Sequence, residues 1–197
     1  MNPSAPDVLR ALGPVVDALE QLSVRYHIGG SLASSAYGVP RATADVDLIA
    51  EIRPEQIDAF VSQLQATYYV APESVAEAVS LRRAFNLINL ETMIKVDVFV
   101  PEARPFDQQE LSRARQQTLD IAEGARTFFV KSPEDLVLRK LSWYRAGGEL
   151  SERQWSDVVG VLKVQRERLD TGYMVSWAAR LEIVDLLERA LAEAKDA

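Results

Sequence analysis

Two aspartates one residue apart, Asp45 and Asp47, stand in a segment that otherwise reads as a buried strand. From Ala44 to Ile52 they alternate with Val46, Leu48, Ala50 and Ile52, so the period of two puts the apolar side chains on one face and both carboxylates on the other. At an effective dielectric of roughly 20, two such charges about 4 Å apart repel by about 4 kcal/mol, which calls for water or bridging cations. Just upstream, Val24, Tyr26 and Ile28 form a second strand pattern that runs into Gly29-Gly30-Ser31. Glycines there let the backbone approach a ligand, and a helix starting at that point offers its leading amides to an anion, phosphate above all. A solvated half-strand beside a turn that needs glycine for its own backbone would carry the same local pattern.

A third carboxylate appears further on. Ala84 to Asn89 and Thr92 to Val100 read as two strands joined by a tight turn near Glu91. In the second, Ile94, Val96, Val98 and Val100 share the core face, while Lys95 and Asp97 share the other. If this strand lies beside the one bearing Asp45 and Asp47, three acids meet, enough to hold two divalent ions. Magnesium takes one or two carboxylates together with substrate phosphate oxygens, and a pair of ions clamps the attacking and leaving oxygens of a phosphoryl transfer. A polar, solvated sheet face is the competing reading.

Composition narrows the chemistry. The 197 residues include no cysteine and a single histidine, which excludes disulfides and thiolate metal sites and leaves little scope for zinc or a histidine-based triad. His27 itself, beside the glycine turn, is read as structural. No apolar run has the length of a membrane span and no basic-then-apolar leader opens the chain, so a cytoplasmic protein without membrane contact is expected. A formal charge of −7 argues against a broad nucleic-acid footprint, although local basic patches are compatible with it.

The remaining segments are mostly helical. Val8, Leu9, Leu12, Val15, Val16, Leu19 and Leu22 follow helical spacing, with a kink expected at Gly13-Pro14. Pro54 opens a helix to about Gln65, and Glu73 to Val79 reads as a shorter one. Asp107 to Glu110 resembles a capping-box start for a helix to about Arg115, and Thr118 to Ile121 and Thr127 to Val130 read as edge strands flanking Glu123-Gly124. Ser132-Pro133 caps the next helix, in which Lys140 emerges from an apolar surface of Leu136, Val137, Trp143 and Tyr144. Such a lysine either snorkels or serves a ligand. Gly147-Gly148 ends that helix; Ser151 and Gln154 begin another that carries Asp157, a partner for Arg153 or a site residue. Composition turns wholly helical near Ser132, which predicts a core over residues 1–131 and a helical subdomain over 132–197. The expected fold class is mixed α/β of the α+β kind, a mixed sheet with helices packed on it.

In this order of motifs, Gly30-Ser31, then Asp45-Val46-Asp47, then Asp97, the chain resembles the DNA polymerase β-like nucleotidyltransferase superfamily. The stretch GGSLASSAYGVPRATADVDL is similar to the minimal nucleotidyltransferases of the abortive-infection type IV toxin group, in which an arginine and a threonine precede the aspartates, as Arg41 and Thr43 do here. That group also carries a lysine and a later aspartate in its helical part, to which Lys140 and Asp157 are similar. Its later motif often reads Arg-Asp-x-x-Asp, whereas this chain has Arg153-Gln154-Trp155-Ser156-Asp157 and lacks the first acid.

The resemblance implies a magnesium-dependent enzyme, with manganese as an alternative ion, that transfers NMP from an NTP to an acceptor hydroxyl. Asp45, Asp47 and Asp97 would hold metal and carry catalysis; Gly29, Gly30, Ser31, Arg41, Thr43, Lys140 and Asp157 would serve the nucleotide. The acceptor is left open among a tRNA end, a protein and a small molecule such as an antibiotic, and a cognate antitoxin is an implied partner. A non-catalytic nucleotide-sensing or partner-binding module of the same fold is the alternative that the missing acid supports.

Overall fold

A computed structural model describes residues 5–40, 45–119 and 126–196. The first helix, α1 (Ala5–Gln21), is continuous and carries Gly13-Pro14, the expected kink position, in its interior. Its stripe of Val8, Ala11, Leu12, Val15, Val16 and Leu19 is buried. Next come β1 (Tyr26–Ile28), α2 (Gly30–Tyr37) and β2 (Asp45–Ala50). A 3-10 turn at Pro54–Gln56 leads into α3 (Ile57–Leu64), and the two-residue β3 (Tyr68–Tyr69) precedes α4 (Pro72–Leu81). The hairpin of β4 (Ala84–Asn89) and β5 (Lys95–Phe99) turns through Glu91 as expected. There the Asn89 side-chain oxygen accepts from the amides of Glu91 and Thr92 at 3.1 and 2.9 Å, which closes the turn.

Helix α5 (Pro105–Ser112) starts two residues before the expected position, because proline at its first turn presets the helical φ and Asp107 supplies the acceptor for the Arg104 amide. Arg115, expected to end that helix, instead opens β6 (Arg115–Leu119), which pairs antiparallel with β7 (Arg126–Val130). The expected Glu123-Gly124 turn lies outside the described residues. Four further helices complete the described chain: α6 (Pro133–Ala146), α7 (Glu152–Gln165), α8 (Thr171–Arg180) and α9 (Val184–Asp196).

Among the described residues one seven-stranded mixed sheet runs in the order β3-β4-β5-β2-β1-β7-β6. The β2–β5 and β1–β7 pairs are parallel and the others antiparallel. Along its centre Val46, Leu48 and Ala50 of β2 and Val96, Val98 and Val100 in and after β5 are buried, and α1 packs on these two strands. Each such Val or Leu contributes on the order of 1.5–3 kcal/mol when fully buried, so the apolar half of the alternation is held firmly on one side. The other half is thereby kept on the opposite side.

The chain divides into two compact units, one of Met1–Leu32 and Ala42–Val130, the other of Ala33–Arg41 and Lys131–Ala197. The described elements of the second unit are helical, and it takes in most of α2. Gly38 accounts for that: a side chain added there would meet the backbone of Val161 and Gly160 at 3.0–3.2 Å, and Gln165 Nε2 donates to the Tyr37 carbonyl at 2.8 Å. The helices α6, α7, α8 and α9 pack on one another around Leu136, Leu138, Leu141, Val158, Val161, Met174, Leu186 and Leu187.

Candidate active site

The site is built where β1 stops. After Ile28 the backbone turns through Gly29-Gly30, and Gly30 adopts φ +54°, a conformation that L side chains rarely take. A Cβ at Gly30 would overlap the Asp47 carboxylate. Glycine is thus required twice at this position, by its dihedral and by the acid packed against it. The amide of Gly29 donates to the Asp47 carbonyl at 2.9 Å and fixes the turn to β2. Together these contacts set the positive N-terminal end of α2 beside a carboxylate.

On β2, Asp45 is exposed and Asp47 half-buried, while Val46 and Leu48 face the core. The parallel register of β2 with β5 sets Asp47 opposite Asp97 and Asp45 opposite Lys95. Side chains at register partners share a face, so the three acids occupy the solvent side of two neighbouring strands. Lys95 Nζ stands 2.7 Å from Asp97 Oδ2, with the two side chains 43% and 20% exposed. The hydrogen bond to Asp97 raises the Lys95 pKa; burial opposes this, and the charges of Asp97, Asp45 and Asp47 add to the rise. All three carboxylates therefore act on one ammonium.

Among the described residues, no three acidic, histidine or cysteine side chains form a ready-made metal cage. The Asp47 carboxylate lies against Gly30 and that of Asp97 is turned to Lys95. The donor set nonetheless suits a hard divalent ion: carboxylate oxygens in register, with a cation already drawn to one of them.

One further residue of this row escaped the reading of the sequence. Asn86 on β4 is the register partner of Asp97 and is exposed on the same face. A turn centred near Glu91 already implies that pairing, since opposing hairpin residues lie equally far from the turn. The row Gly29, Asp47, Asp97, Asn86 crosses four adjacent strands or their ends.

The other predicted residues stand elsewhere. Arg41 and Thr43 lie outside the described residues. Lys140 and Asp157 belong to the second unit and pair with each other, Nζ to Oδ2 at 2.8 Å, with side chains only 7% and 9% exposed. Arg153, the partner that the sequence offers Asp157, is not part of this ion pair. Around the start of α6 the same unit buries more charge: Ser132 Oγ donates to Asp135 Oδ2 at 2.6 Å, Tyr173 OH donates to Asp135, and Glu134 Oε1 accepts from the Asp170 amide at 3.2 Å.

The fold is similar to that of solved nucleotidyltransferase-like proteins. An antigenic nucleotidyltransferase-like protein from Paracoccidioides brasiliensis superimposes with a TM-score of 0.54 at 19% identity, over 98% of this chain and 95% of that one. The solution structure of the antibiotic-resistance factor ANT(2″)-Ia gives 0.52 at 15% identity, over 100% and 97% of the two chains. The crystal structure of ANT(2″)-Ia with adenylyl-2″-tobramycin gives 0.53 at 13% identity, over 88% and 96%. No family profile and no curated protein sequence matches the chain. No helix among the described residues is long and apolar enough to cross a membrane.

Proposed function

We propose that this chain is a divalent-metal-dependent nucleotidyltransferase that moves an NMP from an NTP to an acceptor hydroxyl. The observation that carries the reading is the in-register pair Asp47 and Asp97, with the Gly30 turn pressed against Asp47. In this reading the backbone of Gly29 to Ser31 binds the triphosphate, using amide donors and the dipole of α2. Asp45, Asp47 and Asp97 are the metal-holding acids, and magnesium or manganese, when bound, neutralises phosphate charge and polarises the reacting phosphorus.

The acceptor oxygen attacks the α-phosphorus, the bond to the bridging oxygen of pyrophosphate breaks, and the acceptor proton passes to a base. Asp97 is the candidate base, since it ends the acidic row and stays reachable from solvent. Most of the rate enhancement then comes from positioning and electrostatics. The pairing of Lys140 with Asp157 supports a structural part for both, and neither is assigned a step.

Two facts favour a small cationic, hydroxylated acceptor over tRNA or protein: the solved neighbour that carries adenylyl-2″-tobramycin, and the net charge of −7 here. The test incubates the full chain with each of the four labelled NTPs, MgCl2 or MnCl2, and three acceptor sets: an aminoglycoside panel, tRNA, and lysate protein. Label is expected on the small acceptors, lost in Asp47→Asn and Asp97→Asn. Transfer to tRNA with a steep salt dependence would move the acceptor class. Nucleotide binding without transfer to any acceptor would favour the sensing module, and neither binding nor transfer would overturn the nucleotide reading altogether.

A further inference from the structure

Lys95 is a positive side chain set within the acidic face, and its position is not incidental. Its register partner is Asp45, its neighbour two residues along the same face is Asp97, and its ammonium is 2.7 Å from Oδ2 of Asp97, one of the acids of the proposed metal site. A divalent ion that takes this oxygen competes with the ammonium for it, and the two positive charges repel at that separation.

We infer that Lys95 is a built-in counter-ion of the acidic row, holding Asp97 while metal is absent and displaced from it when a divalent ion binds, so that it weakens metal affinity and makes loading conditional. The inference rests on the metal-site reading above. Its geometry is favourable for exchange: the ammonium ends a flexible four-carbon stem and is 43% exposed, so it swings into water at little cost. Three acids on one face without any counter-charge repel one another, and the lysine relieves that while the metal is away.

Manganese is the probe, because its free ion is counted directly by electron paramagnetic resonance. Binding is measured on the full chain without nucleotide for wild type, Lys95→Met, Lys95→Arg and Asp97→Asn, each checked for fold by circular dichroism. Lys95→Met is expected to bind manganese roughly three- to ten-fold more tightly, the range for a half-exposed charge in screened solvent, while Lys95→Arg stays near wild type. Should Lys95→Met be unstable without metal, its melting temperature is expected to rise more on adding manganese than that of wild type does. Unchanged or weaker binding in Lys95→Met, with Asp97→Asn still weakening it, overturns the counter-ion inference and leaves the metal site standing. Unchanged binding in Asp97→Asn overturns both. A tighter Lys95→Met in a chain that transfers no nucleotide keeps the inference and removes the enzyme.

Discussion

At Gly30 a single missing methyl group organises the site. Its positive φ and the adjacent Asp47 carboxylate each forbid a side chain, and the two penalties have one remedy. Gly30→Ala is expected to cost on the order of 1–3 kcal/mol in urea unfolding and to abolish triphosphate binding in calorimetry. Because part of that cost is the collision with Asp47, Gly30→Ala combined with Asp47→Ala should cost less than the sum of the single changes, a coupling that a double-mutant cycle reads directly. The buried pair Lys140–Asp157 makes the complementary case. Asp157→Asn strands an ammonium with little access to water, and a loss of about 3–5 kcal/mol is expected, partly recovered in the double variant Lys140→Met with Asp157→Asn.

At the scale of elements, the ends of β1, β2 and α5 are tied by one polar cluster. Arg25 donates to Glu51 Oε2 at 2.7 Å and to Gln108 at 2.9 Å, and Gln108 donates to Glu51 Oε1 at 3.1 Å. Burial alone pushes Glu51 up, but the hydrogen bonds from Arg25 and Gln108, with the charges of Arg25 and Arg82, outweigh it and leave the carboxyl below its usual value. A depressed folded pKa contributes stability that is complete above the unfolded value of about 4.3 and is lost as pH falls through the folded value. Glu51→Gln should therefore flatten the acid limb of a plot of urea midpoint against pH, with the difference from wild type shrinking toward zero at the lowest pH. Ser132, whose hydroxyl accepts from the Asp135 amide at 3.2 Å at the start of α6, gives a plainer expectation: Ser132→Ala loses about 1 kcal/mol by the same denaturation assay.

Which elements were legible follows from how each is stabilised. The apolar alternation of β2 and β5 announces both strands and the face of their acids, because a one-residue slip would expose the whole core stripe. Two-residue β3 has no period to read. Polar β6, Arg-Gln-Gln-Thr-Leu, lies at an edge of the sheet and is held by β7 rather than by an apolar face, so its composition misleads. The start of α5 was misplaced because Asp107 looks like a cap residue, whereas it is the acid three positions inside the helix whose cap is Arg104. At the site, the acids were readable from period two. The row through Asn86 needed the register, and the tie of Lys95 to Asp97 needed coordinates.

For the whole molecule, the least legible feature is the division of the chain. Nothing local marks residues 33–41 as companions of the helical unit; that depends on Gly38 meeting a helix more than a hundred positions later. The pairing of β1 with β7, Ile28 with Val130, has the same long span and bears on the order of events during synthesis. The strands that carry the acidic row are all translated before the residue that closes the outer side of β1. A ribosome-bound chain stalled short of Val130 thus holds its acidic row beside an open strand edge, where another nascent chain can add. Long-range closure of this kind slows folding, because the loop between Ile28 and Val130 must be closed before the pairing rewards it.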